Sequence, residues 1–186
     1  MTRCVAIALA IALARGAAWG HTFPPMRSVV VQVEYCELVA MIGYRPGSGE
    51  PTQTILSRVA NQPKSRVLDS LKQVMSAYAL APIAIALDGV ALVPTSVRAK
   101  LGVEDGGARP IVVVLVTYAL RGGGTLAVTS KDVRSTRISW QDRSHGRVDL
   151  AGAPAQDHWH ADVASFLLSV SPSLGVPACA VSRSSD

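Results

Sequence analysis

The pattern of apolar and polar positions predicts a strand hairpin in the first part of the chain. Residues 28–34 read SVVVQVE, and their alternating valines form one apolar face opposite a polar one. Residues 38–44 read LVAMIGY, an apolar run of strand length, and residues 35–37 between the two runs can turn the chain. Together these features predict an antiparallel pair of strands.

Helical periodicity is clearest in residues 51–81. Pro51 suits the first position of a helix, and Pro63 then interrupts the pattern. After this interruption, apolar residues recur at the spacing that places them on one face of a helix: Val67, Leu68, Leu71, Val74, Met75 and Tyr78. The pattern predicts one or two helices inserted between strands.

Short apolar runs separated by turn residues dominate the chain from residue 83 onward. Asp88-Gly89 lies between the runs 83–87 and 90–93 and is a strong signal for a two-residue hairpin turn. Residues 111–120 read IVVVLVTYAL, which is typical of a central strand. After a glycine-rich turn, residues 126–130 are expected to pair back on that strand.

The last third of the chain continues the strand pattern. Residues 137–142 and 147–150 flank a four-residue turn and are expected to pair, and a last strand is expected over residues 158–170. Regular strand and turn spacing without alternating helices is typical of a sandwich. The sequence therefore predicts a mainly β fold, an antiparallel β-sandwich with an inserted helical segment, as a single domain over residues 21–186.

The first twenty residues have the layout of a secretory signal peptide. A basic start precedes an unbroken apolar run over residues 4–14, which is too short for a stable membrane span. Ala18 and Gly20 supply the small residues that a cleavage site requires at its −3 and −1 positions. Cleavage after Gly20 would make His21 the first residue of the mature protein. The expected location is the periplasm or the extracellular space.

The charge distribution argues against a nucleic-acid partner. The formal net charge is +5, but the basic residues are scattered, and aromatic residues make up only 5% of the chain. A nucleic-acid groove needs clustered basic residues together with stacking aromatics. No transmembrane segment is expected in the mature chain, because prolines and acidic residues interrupt each later apolar stretch. A protein partner in the cell envelope and the oligomeric state both stay open.

Two cysteines remain after removal of the signal peptide, which takes Cys4 with it. In an oxidising compartment, the even pair Cys36 and Cys179 predicts a disulfide between the first hairpin and the C-terminal tail. The alternative is two buried thiols. The close CxxC spacing that marks cysteine metal sites does not occur in the sequence.

Three histidines are candidates for a copper site. A mature N-terminal His21 would offer its α-amine and a ring nitrogen, a chelate that suits Cu(II). His158 and His160 are two residues apart, so on a strand they would share one face and bind a metal together or with His21. Asp157 and Asp162 are the candidate carboxylate partners of metal-bound imidazoles. The alternative is a solvated His-x-His segment and an N-terminal histidine without a ligand.

Motifs for hydrolysis or phosphate chemistry do not occur in the sequence. No serine has the GxSxG framing of a nucleophile, and the glycines at 122–124 lack the GK[ST] of a phosphate-binding loop. The carboxylate pair Glu34 and Glu37 falls at a predicted turn, where solvated acids are common. An enzyme is therefore the less favoured interpretation, and a hydrolase without a recognisable motif stays open.

Three stretches resemble the extracytoplasmic N-terminal domain of the HupE/UreJ family of membrane proteins. They are HTFPP at residues 21–25, Leu87-Asp88-Gly89 and the paired strands around residues 109–130, in that order after the signal peptide. The resemblance implies an association with nickel or cobalt handling. It does not imply transport, because no transmembrane helices are expected after this domain. A mature His21 also resembles the start of small periplasmic copper-binding sandwiches.

These observations favour an exported, non-enzymatic binding or interaction domain whose ligand is open. The alternative is a copper-binding periplasmic protein or a copper-dependent oxidative enzyme that uses His21, with copper as its cofactor. The two hypotheses differ in what they require of the structure: convergent ligands around a metal for copper, and an exposed apolar or flat polar patch for a binding domain.

Overall fold

The fold is a two-sheet sandwich with two helices inserted after the second strand, which confirms the predicted fold class. The computed structural model describes residues 24–48, 50–103, 110–161, 165–172 and 179. In chain order the elements are β1 Met26–Glu34, β2 Glu37–Arg45, α1 Glu50–Ala60, α2 Val67–Leu80, β3 Ile83–Leu87, β4 Val90–Ala91, β5 Pro94–Val103, β6 Pro110–Ala119, β7 Gly124–Ser130, β8 Thr136–Arg143, β9 Val148–Asp149, β10 His160–Ala161 and β11 Ser165–Val170.

The two sheets share one apolar core. The larger sheet has six strands in the order β10-β8-β1-β2-β6-β5, and the smaller has five in the order β4-β3-β7-β11-β9. Buried side chains from both sheets belong to a single cluster, with Trp140 and Ile42 from the larger sheet and Leu126 and Leu168 from the smaller. Burial of these apolar side chains is the main force that holds the two layers together.

The predicted N-terminal hairpin is present as β1 and β2, with the turn at Tyr35-Cys36. The two strands pair antiparallel, with Val29 opposite Ile42 and Val33 opposite Leu38. Alternate residues of both strands are fully buried, so the period of two in the sequence directly reports the core face. The hairpin predicted at Asp88-Gly89 is also present, since β3 pairs with β4. Asp88 and Gly89 have φ values of 50° and 77°, as a turn of this kind requires.

Two predicted strand pairings are wrong. The segment 126–130 does not pair back on β6, because β7 lies in the smaller sheet between β3 and β11. Likewise β8 and β9 do not form a hairpin: β8 belongs to the larger sheet and β9 to the smaller. In both cases the turn carries the chain from one layer of the sandwich to the other. Turn residues in the sequence report a reversal of the chain but not the sheet that the next strand joins.

The larger sheet contains one parallel pair among its antiparallel ones. β8 lies parallel to β1, with Trp140 next to Val31 and Ile138 next to Val29. A parallel pair requires a long connection, and here most of the domain lies between the two strands. The fully buried Trp140 donates a hydrogen bond from its indole nitrogen to the carbonyl oxygen of Pro154 at 3.1 Å.

The single strand predicted over residues 158–170 is also wrong. The chain forms two strands there: β10, which pairs with β8 in the larger sheet, and β11, which pairs with β7 and β9 in the smaller. His158 precedes β10 and lies outside any strand. The two strands of this segment thus belong to different sheets, and the buried apolar side chains come from β11, with Phe166, Leu168 and Val170.

The helices α1 and α2 lie within the predicted insertion. The proline predicted to interrupt the pattern, Pro63, falls between them. The second helix packs against β2, β6 and β5, and its residues Met75 and Ala79 are buried in the core. Leu68, which the periodicity places on the same apolar face, has 68% of its side chain exposed. The apolar stripe is therefore buried toward the C-terminal end of α2 and exposed at its first turn.

The predicted disulfide joins Cys36 to Cys179, with 5.2 Å between the Cα atoms. It ties the β1–β2 turn to the C-terminal part of the chain across 143 residues of sequence. In the described part of the chain, no helix is both long and apolar enough to cross a membrane. The signal peptide, its cleavage site and His21 fall on residues 1–23, outside the described residues, and stay predictions.

Candidate binding groove

The structure brings two of the three predicted copper ligands together. The ring centroids of His158 and His160 are 5.3 Å apart in an edge-on arrangement. The strand geometry proposed from the sequence does not cause this proximity, because only His160 is in a strand. The Nε2 atom of His160 lies 3.0 Å from the carbonyl oxygen of Ala155, so one of its ring nitrogens already has a backbone partner.

The carboxylates near the two histidines do not complete a metal site. The Oδ1 atom of Asp157 accepts a hydrogen bond of 2.6 Å from the side-chain amide of Gln141. Asp162 lies outside the described residues, as does His21. Among the residues that the structure describes, no three histidine, cysteine or acidic side chains converge on one point. The histidine pair thus offers at most part of a ligand set.

The buried Arg147 organises the loops at the end of the larger sheet that holds the β1–β2 turn. Its guanidinium donates to the carbonyl oxygens of Leu120 at 3.0 Å, Gly122 at 2.7 Å and Ser171 at 3.0 Å, and also to that of Tyr35. Burial lowers the pKa of Arg147, while the neighbouring tyrosine acts in the opposite direction. With its donors directed to backbone carbonyls, this cation is a structural group rather than an exposed binding residue.

The turn before Arg147 is held by a buried serine. The hydroxyl of Ser144 donates to the Oδ1 atom of Asp142 at 2.5 Å and accepts from the backbone N–H groups of Arg147 and Val148. The serine that the sequence places next to His145 is therefore a turn residue whose hydroxyl already has three partners. His145 itself has a φ of 56°, a left-handed conformation that is typical of a turn position.

A second buried arginine, Arg27, anchors the C-terminal end of α2 to β1. It donates to the carbonyl oxygens of Tyr78 and Ala79, each at 2.9 Å. A cation that binds carbonyls of the last helical turn also opposes the negative end of the helix dipole. The guanidinium further contacts Asp132 at 3.1 Å and lies 5.1 Å from the ring centroid of Tyr44.

Tyr44 lies between the guanidinium of Arg27 and the ring of Tyr78. Its ring stacks on that of Tyr78 with 6.5 Å between centroids, which joins β2 to α2. Burial raises the pKa of Tyr44, and the positive charge of Arg27 opposes part of that increase. The C-terminal end of α2 is thus held by a cation, a stacked ring pair and the core contacts of Ala79.

The N-terminal turns of α2 border an apolar groove. The groove has a volume of about 530 Å³ and lies between the helix and the edge of the larger sheet. Its helical wall is formed by Leu68, Leu71 and Lys72. Its floor and opposite wall come from the sheet, with Leu101, Val103 and Pro110 among the lining residues.

The strand beside the groove, β5, is the last strand of the larger sheet. It pairs with β6 on one side, and among the described residues no strand pairs with its other side. The strand is ten residues long, and Val97 and Val103 are 52% and 66% exposed. Natural proteins usually shorten, bend or cover an edge strand of this kind, because its backbone groups can pair with another chain.

Exposed basic residues occur on or next to both elements that form the groove. Lys64 and Arg66 precede α2, Arg98 and Lys100 lie on β5, and all four are exposed. The described acid at the groove is Asp69, which forms an ion pair of 3.3 Å with Lys72 in the same helix. The surface between helix and edge strand is therefore apolar with a positively charged border.

The groove was not predicted from the sequence, although two signals for it were present. The apolar stripe of the helix, which includes Leu68, extends beyond what the core can cover. Residues 97–103 carry alternating apolar side chains on an otherwise polar strand. Neither signal identifies a groove by itself, because the helix and β5 are adjacent only in the folded chain. No protein-family model and no curated protein matches this chain. The resemblance to the HupE/UreJ domain stays a prediction.

Proposed function

We propose that this protein is an exported, non-enzymatic binding domain whose binding site is the groove between α2 and β5. The observation that carries the proposal is the combination of an apolar cavity of about 530 Å³ with an adjacent edge strand whose outer side has no described partner. Binding sites are commonly concave, mostly apolar and bordered by a few polar groups, which is the composition of this groove.

The helix supports this proposal through the uneven burial of its apolar face. Arg27 and the core hold the C-terminal end of α2, so the exposure of Leu68 does not come from a loosely attached helix. Burying an exposed leucine stabilises a complex by about 1.5–3 kcal/mol. A ligand that covers Leu68 and Val103 would gain this energy, whereas the isolated domain leaves both side chains in water.

The experiment that tests the proposal is a selection of displayed random heptapeptides on the immobilised, disulfide-bonded domain. The affinity of each selected peptide is then measured by fluorescence anisotropy for the wild-type protein and for Leu68→Gln. We expect the substitution to weaken binding about tenfold or more, because a polar side chain replaces the exposed leucine at the groove. Glutamine is a good helix former, so the helix itself is kept.

The matched control is Leu56→Gln, which changes an exposed leucine of α1 outside the groove. We expect this variant to bind the selected peptides as the wild-type protein does. A selection that yields no peptide dependent on Leu68, or peptides weakened equally by both substitutions, would overturn the proposal.

The second candidate function is copper binding, and the proximity of His158 and His160 favours it. Under this hypothesis the two imidazoles, or one of them with a mature N-terminal His21, would hold Cu(II). The test is a Cu(II) titration of the N-terminally sequenced protein, followed by electron paramagnetic resonance, with His21→Ala and His158→Ala variants. Binding of one equivalent that either variant abolishes supports the hypothesis, and the variant that loses binding identifies the ligand set. Binding unchanged in both variants contradicts it.

A further inference from the structure

We propose that the partner of this groove is an extended, acidic polypeptide segment that adds to the larger sheet as a strand next to β5. This inference rests on the proposed function, because it names the chemistry of the ligand for the same groove. It combines three features of the described residues: the edge of β5, the apolar wall of α2, and the positive charges of Arg98 and Lys100.

Among the described residues, no strand pairs with the outer edge of β5. Successive residues of a strand direct their backbone N–H and C=O groups to opposite sides. One set on β5 pairs with β6, which leaves the other set along the outer side of the strand. A peptide in extended conformation satisfies such groups by forming a new strand, a recognition mode in which the backbone supplies affinity and side-chain pockets supply specificity.

Apolar and basic side chains alternate along the middle of β5. Ala99 and Leu101 pack against the core and line the groove. Arg98 and Lys100 alternate with them along the strand, so they belong to its other face, and both are exposed. Lys100 also contributes to the lining of the groove. A strand added next to β5 has the same alternation. Every second side chain of the peptide would therefore enter the groove toward Leu68, and the others would lie beside the two cations.

Charge decides between an acidic partner and a second copy of the chain. In a symmetric antiparallel pairing of two β5 strands centred on Ala99, Arg98 of each chain would lie opposite Lys100 of the other. Like charges in directly opposite positions destabilise strand pairs, and opposite charges stabilise them. Lys64 and Arg66, which precede α2, are exposed as well, so the helix that borders the groove also begins next to positive charge.

The experiment uses a synthetic probe with this pattern, an acetylated and amidated heptapeptide Ser-Val-Glu-Val-Glu-Val-Ser. Its affinity for the wild-type protein is compared with that of the same peptide with lysine at both glutamate positions. We expect the acidic peptide to bind about tenfold tighter, and we expect this preference to disappear in the Arg98→Gln/Lys100→Gln double variant. Glu104 and Asp105 follow β5 outside the described residues and stay unchanged in every protein tested.

Backbone methylation of the probe tests the strand pairing separately from charge. N-methyl groups are placed either on two of the valines or on both glutamates. In an added strand, one set of N–H groups faces β5 and the other faces solvent. We expect one methylated peptide to bind at least about tenfold more weakly than the other, since only one set removes hydrogen bonds to the protein.

Three results would overturn the inference. Equal affinities for the acidic and lysine peptides would exclude charge recognition, and equal affinities for the two methylated peptides would exclude strand addition. A dimer in analytical ultracentrifugation that Leu68→Gln dissociates, without binding of the probe, would show that a second copy occupies the groove. Equal affinities in either peptide comparison, with selected peptides that still depend on Leu68, would refute acidic strand addition but leave the groove as the proposed binding site.

Discussion

At one end of the larger sheet, backbone carbonyls from several loops converge on a single buried arginine, whereas at the other end apolar side chains remain exposed beside an edge strand. Arg147 and the disulfide of Cys36 lie at the first end, next to Leu120 after β6. The groove lies at the second end, next to Pro110 at the start of β6. The strand β6, Pro110–Ala119, separates the two regions by about 30 Å at the usual rise of about 3.3 Å per residue.

The residues around Arg147 stabilise the fold, whereas the exposed apolar residues of the groove contribute little to its stability. At the Arg147 end, buried polar groups are satisfied within the chain and a covalent bond closes the structure. A protein gains stability from burying apolar surface, so exposed leucines and valines at the groove end contribute little to it. Substitutions of Arg147 and of the exposed groove residues should accordingly affect different properties: stability in the first case and binding in the second.

The largest effect is expected for Arg147→Leu. The substitution removes a buried cation that donates hydrogen bonds to four loop carbonyls, so the buried acceptor of Leu120 and three partly buried acceptors each lose a partner. We expect the free energy of unfolding to fall by about 3–5 kcal/mol in urea denaturation. The matched control is the exposed Arg143→Leu, for which a change within about 0.5 kcal/mol is expected. Equal losses for the two variants would contradict the structural role of Arg147.

The next largest effect is expected for loss of the disulfide. In the Cys36→Ser/Cys179→Ser variant, we expect the free energy of unfolding to fall by about 2–4 kcal/mol, because the unfolded chain is no longer constrained. Reduced wild-type protein should show the same loss. Peptide affinity of the folded fraction should be unchanged, since the bond lies at the end opposite the groove. A weaker affinity in this variant would show that the two ends are coupled.

A smaller effect is expected from alkaline pH through Tyr44 beside the groove helix. Because burial raises the pKa of Tyr44, the unfolded chain releases this proton first, near the ordinary tyrosine value of about 10. The free energy of unfolding should therefore fall as the pH rises through about 10, by up to about 1.4 kcal/mol per pH unit for this group. Tyr44→Phe should show a shallower fall in denaturation curves between pH ~8 and ~11.

Burial also raises the pKa of Tyr118, so part of the alkaline fall should persist in Tyr44→Phe. The double variant Tyr44→Phe/Tyr118→Phe should show a shallower pH dependence than either single variant. An identical pH dependence in the wild-type protein and in Tyr44→Phe would show that Tyr44 ionises alike in the folded and unfolded chains.

The smallest effect on stability is expected for substitutions in the groove itself. Leu68→Gln and Val103→Gln should each change the free energy of unfolding by about 0.5 kcal/mol or less, because both side chains are already largely in water. On the same helix, Met75→Ala should cost about 2–5 kcal/mol, because it opens a cavity in the core. A large loss of stability for Leu68→Gln would show that this leucine belongs to the core.

Local patterns in the sequence were sufficient to predict most of the elements. The alternation of valines in residues 28–34 and the run at 38–44 correspond to β1 and β2, and Asp88-Gly89 corresponds to the turn between β3 and β4. These features depend on neighbouring residues, so a linear sequence can report them. The disulfide could be predicted for a different reason: once Cys4 is assigned to the predicted signal peptide, Cys36 and Cys179 have only one intramolecular pairing.

The pairing of strands could not be predicted in the same way. The partner of Val31 in β8 is Trp140, more than a hundred residues along the chain, and no local signal connects the two. The same limit applies to the site: the histidine pair was visible as a motif, whereas the groove joins Leu68 of a helix to Leu101 of a distant strand. When two residues contact each other only in the folded protein, the local sequence around either residue does not predict the contact.

The sequence by itself determined the classes of structure that each segment adopts: a strand hairpin, a helical insertion and a series of short strands, with a disulfide at one end. It did so because burial of one face imposes a period of two on strands and of 3.6 on helices. Only the tertiary structure decided which sheet each strand joins and which apolar residues remain outside the core. Those outcomes depend on long-range packing, and they place Leu68 beside the exposed edge of β5.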